Sequence, residues 1–278
     1  MTIRQTIQKK LKAYEVNAIQ TLKENNSSLY SIEYKLDLSF FKFQNNKINH
    51  LLYWDKDELV GYAAMSNFDP EALEVTLIVR PDQKILNEMN KTIRTFSQQE
   101  KINKILLITD RKDTFFRSYM EGGNRYKYVF SEYSMILVIN QFEPKSTNVS
   151  LEPAKKEEAG MIASLEENQL ANETMPLDPE DLEKTLVLRK NEQVIASIRV
   201  ENEGNSSGLY GFVVRSEFRN QGIGRKVISQ TIQELLEKQA KNIYLEVEST
   251  NETALHLYRS IGFKEQTLFD YYIYEITD

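Results

Sequence analysis

The sequence predicts an α/β protein of two domains, each built on a central mixed β-sheet (an α+β mixed sheet) with helices on both faces. Three observations predict it. The chain has 278 residues, 41% of them hydrophobic, about two domains' worth with enough apolar material for two cores. Short apolar runs alternate with amphipathic stretches of helical period in both halves. The order of those elements in the first half returns in part in the second.

In the first half, 51–54 and 59–65 read as a hairpin around the polar turn Asp55-Lys56-Asp57-Glu58. A strand over 73–80, a helix over 84–99, a strand over 104–109, a helix over 114–121 and returning strands over 126–139 follow. The polar stretch 140–148, with Pro144, marks the boundary, giving domains at 1–143 and 148–278. In the second half, 155–170 and the turn opened by Pro179 read as helices. Strands over 185–189 and 194–200 form a hairpin, and 208–215 is a third strand. A long amphipathic helix over 222–238 carries Val227, Ile228, Ile232 and Leu235 on its stripe. A strand over 242–248, a helix over 251–261 and closing strands over 263–276 complete the order. Tyr119 and Gly123 precede Tyr258 and Gly262 by 139 positions, and Val79-Arg80 precede Val214-Arg215 by 135, the mark of a duplicated domain.

Composition narrows the chemistry. With no cysteine there is no disulfide, thiolate nucleophile or thiolate metal site, and the two histidines, His50 and His256, lie far apart, so no metal is expected. A net charge of -6 argues against nucleic acid and is compatible with a cationic substrate. No stretch approaches a membrane span and residues 1–12 lack a signal-peptide run, so a soluble, cytoplasmic protein with no membrane partner is expected.

The segment Arg219-Asn220-Gln221-Gly222-Ile223-Gly224 follows an apolar strand and opens the long helix. A phosphate would there meet unpaired backbone N–H groups and the positive end of the helix dipole. Glycine at 222 and 224 permits close backbone approach and conformations a β-carbon forbids, while Arg219, Arg225 and Lys226 add charge. The plain alternative is a helix start with two turn glycines and a solvated basic cluster.

Together with Phe212 to Phe218 and the run Tyr244-Leu-Glu-Val-Glu-Ser-Thr-Asn251-Glu-Thr-Ala254-Leu-His-Leu-Tyr258-Arg-Ser-Ile-Gly262-Phe263, this segment resembles the GNAT superfamily of N-acetyltransferases, especially the bacterial ribosomal-protein N-terminal acetylases. The resemblance spans essentially the whole C-terminal half. It implies two GNAT-like domains with splayed sheets, and acetyl-CoA as cosubstrate. The main chain of Phe212, Val213 and Val214 would pair with the pantetheine arm and offer an N–H to the thioester oxygen. The turn Arg219, Asn220, Gln221, Gly222, Ile223, Gly224 and Arg225 would hold the pyrophosphate. Tyr258 is implied as the acid near the cofactor sulfur, with core packing as its other reading, and Glu246 as the base, with a solvated surface charge as its other reading. Asn251 reads as a helix cap, to which the resemblance adds a cofactor hydrogen bond.

The first half has Asp82-Gln-Lys-Ile-Leu-Asn-Glu88 opposite the glycine turn, without a glycine, and is expected to be a degenerate copy that has lost the cofactor site. Glu74, Tyr119 and Gly122-Gly123 read as relics, Trp54 and His50 as packing or hairpin-edge residues, and the copy itself as a cleft wall or a homodimer contact. The expected function is acetyl transfer to a primary amine, on a small molecule or a peptide, by direct attack. The competing reading is a non-catalytic acyl-CoA sensor or interaction module. The acceptor pocket falls to residues 165–186, which carry no distinctive code.

Overall fold

The structure is a computed structural model, and it describes residues 3–36, 41, 47–67, 71–143, 149–167 and 177–276. The chain forms two compact units, one of residues 1–132 with 267–278 and one of residues 133–266. The division departs from the sequence-based cut between 143 and 148: the strand pairing below puts the end of the closing strand with the first unit, and 144–148 lie outside the described residues.

The first unit contains β1 (Ile3–Gln8), α1 (Ala13–Tyr30), β2 (Ile48–Asp55), β3 (Glu58–Ser66), β4 (Ala72–Val79), α2 (Gln83–Gln99), β5 (Lys104–Asp110), α3 (Thr114–Glu121) and the start of β6 (Lys127–Leu137). Strands β1 to β4 run antiparallel in sequence order, and β4 pairs parallel with β5. The last strand of the chain, β12 (Phe263–Glu275), lies antiparallel on β5, with Phe269 opposite Asp110 and Glu275 opposite Lys104. One core packs α2 and α3 on the sheet through Leu86, Met89, Ile93, Phe116 and Tyr119, and a second packs α1 on the other face through Ile19 and Leu22. Trp54 and His50 are buried, and His50 Nδ1 lies 2.8 Å from the Tyr62 hydroxyl. Both are packing residues, as expected.

The second unit contains the end of β6, β7 (Glu152–Pro153), α4 (Ala159–Glu167), α5 (Pro179–Glu183), β8 (Thr185–Lys190), β9 (Gln193–Glu203), β10 (Ser206–Val214), α6 (Ile223–Glu237), β11 (Asn242–Glu248), α7 (Glu252–Ile261) and the start of β12. The predicted tail of the first helix, 168–170, and the middle of the predicted acceptor region, 168–176, lie outside the described residues. Val227, Ile228, Ile232 and Leu235 of α6 pack with Leu255, Tyr258 and Ile261 of α7 against Leu209, Leu245 and Val247. Each such side chain, fully buried, contributes roughly 1.5–3 kcal/mol. On the other face, Ile162 and Leu165 of α4 and Leu182 of α5 pack on Val187, Val194 and Val213.

The duplication is reproduced residue by residue. The hairpin pair Asp55 and Glu58 corresponds to Lys190 and Gln193, the sheet pair Gly61 and Val79 to Ala196 and Val214. Arg80 N donates to Val60 O and Arg215 N to Ile195 O, both at 2.9 Å. All of these are 135 residues apart, whereas Lys104 of β5 and Ile243 of β11, each opposite the matching residue of β4 or β10, are 139 apart. The four extra residues of the second copy therefore fall between β10 and β11, where the glycine turn stands.

Candidate functional site

Strand β10 pairs in parallel with β11 from Ser206 opposite Asn242 to Leu209 opposite Leu245, and the pairing stops there. Its antiparallel register with β9 slips between Tyr210 and Val213, and Gly211 takes φ +53°. This is a β-bulge, which bends the strand and turns main-chain groups out of the ladder. A wedge opens between Tyr210–Val214 and Glu246–Glu248, with β10 still held by β9 at Val213 and Val214. An extended ligand can add to such an unpaired edge as a short strand.

Beyond β10 the chain makes one 3₁₀ turn at Ser216–Phe218 and enters α6 through Asn220 (φ +59°) and Gly222 (φ +74°). Gly222 is the N-cap and supplies no side chain. Among the described residues, none of the backbone N–H groups from Asn220 to Arg225 donates to a protein acceptor. A Cβ on Gly222 would meet nothing within 4 Å, so the approach to these amides is open. Several unpaired donors and the positive end of a 15-residue helix therefore face one open spot, which suits a phosphate.

Gly224 is small for a different reason from the one its spacing suggests. A Cβ there would lie 3.2 Å from Leu257 Cδ2 and 3.3 Å from Phe212 Cζ, so its bareness lets β10 and α7 pack on the first turn of α6. The basic residues are also partly spoken for. Arg219 Nε donates to Val214 O at 2.9 Å, which fastens the turn to the strand and occupies one of the carbonyls expected to meet a pantetheine arm. Arg225 Nη1 donates to Ser260 O at 3.1 Å, tying α6 to α7, and Gln221 Nε2 donates to Glu217 O at 3.0 Å.

Asn251 caps α7, its Oδ1 accepting from Ala254 N at 3.1 Å. This anchors the helix that carries Tyr258. The Tyr258 ring is buried, 6.5 Å from Phe212 and edge-on to Phe263 at 5.9 Å. Its hydroxyl has no hydrogen-bond partner among the described residues, and burial raises its pKa, so it stays a proton donor across the working pH range. Phe212, Gly224, Leu257 and Tyr258 thus meet on one side of the wedge.

Glu246 stands on the opposite face of β11. Leu245 and Val247 point into the core of α6 and α7, while Tyr244, Glu246 and Glu248 line the half-buried face. There Tyr210 and Tyr244 meet edge to face at 6.4 Å with their hydroxyls 3.4 Å apart. Burial, the Tyr244 hydrogen bond and the charges of Tyr244, Glu246 and Glu201 all raise the Tyr210 pKa. The wedge therefore has a tyrosine donor on its α6/α7 side and carboxylates on its α4/α5 side.

Sequence reasoning overlooked three residues of that second side, Arg199, Tyr210 and Gly211, and covered Glu166 only as one member of the predicted acceptor region 165–186. Gly211, a lone glycine inside a strand pattern, is the signal that marks a bulge and would have pointed to them.

The first unit offers the contrasting arrangement at the start of α2. Asp82 is its N-cap, and its carboxylate accepts from Lys84 N at 2.8 Å and Ile85 N at 3.3 Å. The amides that a phosphate would use are engaged, and a negative charge sits on them. Tyr119, the counterpart of Tyr258, is buried in the core. Glu74 is half-buried on β4, while Gly122 ends α3 and Gly123 takes φ +86°.

The site is thus a splayed parallel strand pair leading through a bare glycine cap into a helix, set in a mixed α/β fold. The model of the Acetyltransferase (GNAT) family matches residues 151–263 of this chain. The chain is 36% identical over 70 residues to a [Ribosomal protein bS18]-alanine N-acetyltransferase of Escherichia coli (strain K12), covering 25% of this chain and 47% of that protein. It is 38% identical over 61 residues to N-alpha-acetyltransferase 30 of Homo sapiens, covering 22% and 17%. The chain thus spans about half the length of the bacterial relatives it matches. In fold it is similar over 99% of its length to a GCN5-related N-acetyltransferase from Sphaerobacter thermophilus (TM-score 0.75, 14% identity, 96% of that chain). It is similar over the same share to a tandem GNAT protein from the clavulanic acid biosynthesis pathway (TM-score 0.71, 11% identity, 99% of that chain). Among the described residues no cluster of ligands suits a metal ion, and no helix is long and apolar enough to cross a membrane.

Proposed function

We propose that the second unit transfers an acetyl group from acetyl-CoA to a primary amine by direct attack. The observation that carries the proposal is the set of unengaged amides between Asn220 and Arg225 at an uncapped helix start. These residues fit the diphosphate of the cosubstrate, and the open edge of β10 at Phe212 and Val213 fits its extended arm. Acetyl-CoA supplies the acyl group as an activated thioester.

The residues of this chain divide the remaining work. A main-chain N–H of the bulged segment faces the carbonyl oxygen as it gains charge, and one such donor is worth about 3 kcal/mol. Tyr258, protonated and without a partner, donates to the departing sulfur. Glu246, on the far face of β11, removes a proton from the attacking nitrogen, directly or through water. Acid and base thus approach the reacting carbon from opposite sides of the wedge. The first unit is left without a cosubstrate in this reading, because the turn 82–88 has no glycine to admit a diphosphate and Asp82 caps two amides of α2 besides.

The test is product formation from acetyl-CoA with spermidine, an aminoglycoside and peptides bearing a free N-terminal alanine or an internal lysine. An acetylated amine with release of one equivalent of free thiol supports the proposal; acetyl-CoA binding with no product from any of them contradicts it.

A further inference from the structure

On the α4/α5 side of the wedge the bulge at Gly211 receives a side chain. A Cβ on Gly211 would lie 2.5 Å from Glu166 Oε1, so glycine is needed there both for its φ of +53° and to admit this carboxylate. Oε1 is buried and accepts no hydrogen bond, although the Glu166 side chain as a whole keeps 24% of its surface. A buried carboxylate oxygen without a donor is an unmet demand.

The neighbours do not meet it. Arg199 of β9 is the cation at hand, with Nη1 4.0 Å from Glu166 and 3.7 Å from Asp181 of α5, and Nε 3.6 Å from Glu201. One guanidinium is thus shared among three carboxylates at ion-pair distance, with no hydrogen bond made by its Nε. Lys184, which also feels Asp181 and Glu201, is bonded to Glu180 at 2.9 Å. Ser197, two residues before Arg199 on the same face of β9, is fully buried and its hydroxyl is also unpartnered. On β10 and β11, Tyr210 and Glu246 face the same side. The local balance is negative, and the Glu166 carboxylate lies directly beside the bulged strand at Gly211.

We infer that Glu166 is the carboxylate that docks the acceptor as an ammonium ion, making this site selective for cationic amines over neutral ones. An ammonium brings three N–H donors and a positive charge, which supplies what Oε1 and the surplus of carboxylates lack. Burial already pushes the Glu166 carboxyl up to about 6, the direction expected for an ionised group short of a partner, with Arg199 lowering it and Asp181 raising it. Glu166 here is a specificity-determining residue; proton removal stays with Glu246. The inference rests on the acetyl-transfer reading above for its functional meaning, though the docking itself does not need the cosubstrate.

The experiment uses the full chain without acetyl-CoA. The side-chain carboxyl of Glu166 is followed by carbon-detected NMR, assigned with Glu166→Gln, while spermidine or alanine amide is added. The expected result is a shift of the Glu166 signal and a fall of its midpoint from about 6 toward the ordinary 4.5, with lactamide, the neutral isostere of alanine amide, inert. An unmoved signal and midpoint with every amine overturns the inference. In the transfer assay, Glu166→Gln is expected to raise KM for the cationic acceptor at least tenfold with kcat within about threefold, and Glu166→Asp to recover part of the loss; an unchanged KM also overturns it. Acetyl-CoA affinity, measured in parallel, judges the transferase reading separately: loss of that binding in the parent protein sinks the transfer reaction while the NMR result still decides the fate of Glu166.

Discussion

Asp82 and Gly222 hold the same capping position in the two copies, one residue before α2 and α6, and leave the helix starts in opposite electrostatic states. Asp82 takes φ -143° and turns its carboxylate onto the amides of Lys84 and Ile85; Gly222 takes φ +74° and leaves the first amides of α6 bare. The four residues by which the second copy is longer lie in this connection, so the same duplication yields an open helix start in one unit and a self-capped helix in the other. For α2 the cap is worth about 1 kcal/mol of local stability.

Removing the Tyr258 hydroxyl is expected to separate chemistry from folding. The group makes no hydrogen bond within the described protein, so Tyr258→Phe leaves no partner stranded and thermal stability should stay within about 0.5 kcal/mol. Turnover should fall by roughly 10²–10⁴ with acetyl-CoA affinity unchanged. Steady-state kinetics beside a thermal melt checks this, and unaltered kcat would leave Tyr258 as a packing residue.

Glu166 should cost stability when ionised. Burial holds its carboxyl at about 6 against an ordinary 4.5, so the folded chain binds the proton more tightly than the unfolded one, and stability falls as pH rises from about 4.5 through 6. Glu166→Gln should therefore be more stable than the parent at pH 8, by up to about 2 kcal/mol, and should lose that advantage near pH 4. Denaturant titrations at the two pH values measure it; equal differences at both would contradict the burial argument.

His50 gives the opposite dependence in the first unit. Its ring is buried beside Tyr62 and Phe41, and desolvation brings its pKa down to about 4, with Glu15 opposing. The unfolded chain then binds the proton more readily, so stability present above pH 6.5 is lost as pH falls toward 4, by about 3 kcal/mol at most. A His50→Phe variant should flatten that acid limb in hydrogen exchange of β2 and β3, and an identical limb in both proteins would contradict it.

The parts of this site that are local in sequence were legible there. The glycine turn, the Asn251 cap and the turn at Asn191-Glu192, whose φ values of +50° and +64° fit a tight hairpin, are each written in a few consecutive residues. Elements with weak patterning escaped notice. Strand β1 is an exposed edge, and α1 buries Glu15 and Asn26 alongside Ile19 and Leu22, because Asn26 Nδ2 donates to Val79 O at 2.9 Å rather than facing water. The role of Gly224 could not be read without Phe212 and Leu257 beside it. Nor could the Glu166–Arg199 contact, which joins residues 33 positions apart through the bulge at Gly211. The assignment of the closing strand depends on which sheet edge it meets, here β5, and its own alternation says nothing of that.

Titration calorimetry of the full chain with acetyl-CoA tests the central claim most directly. One equivalent should bind per chain; Gly222→Asp, which puts a carboxylate beside the open amides at a backbone angle aspartate tolerates, should weaken binding at least tenfold, and Asp82→Ala should leave it unchanged. Two equivalents per chain, or full affinity in Gly222→Asp, would show that the phosphates are held elsewhere.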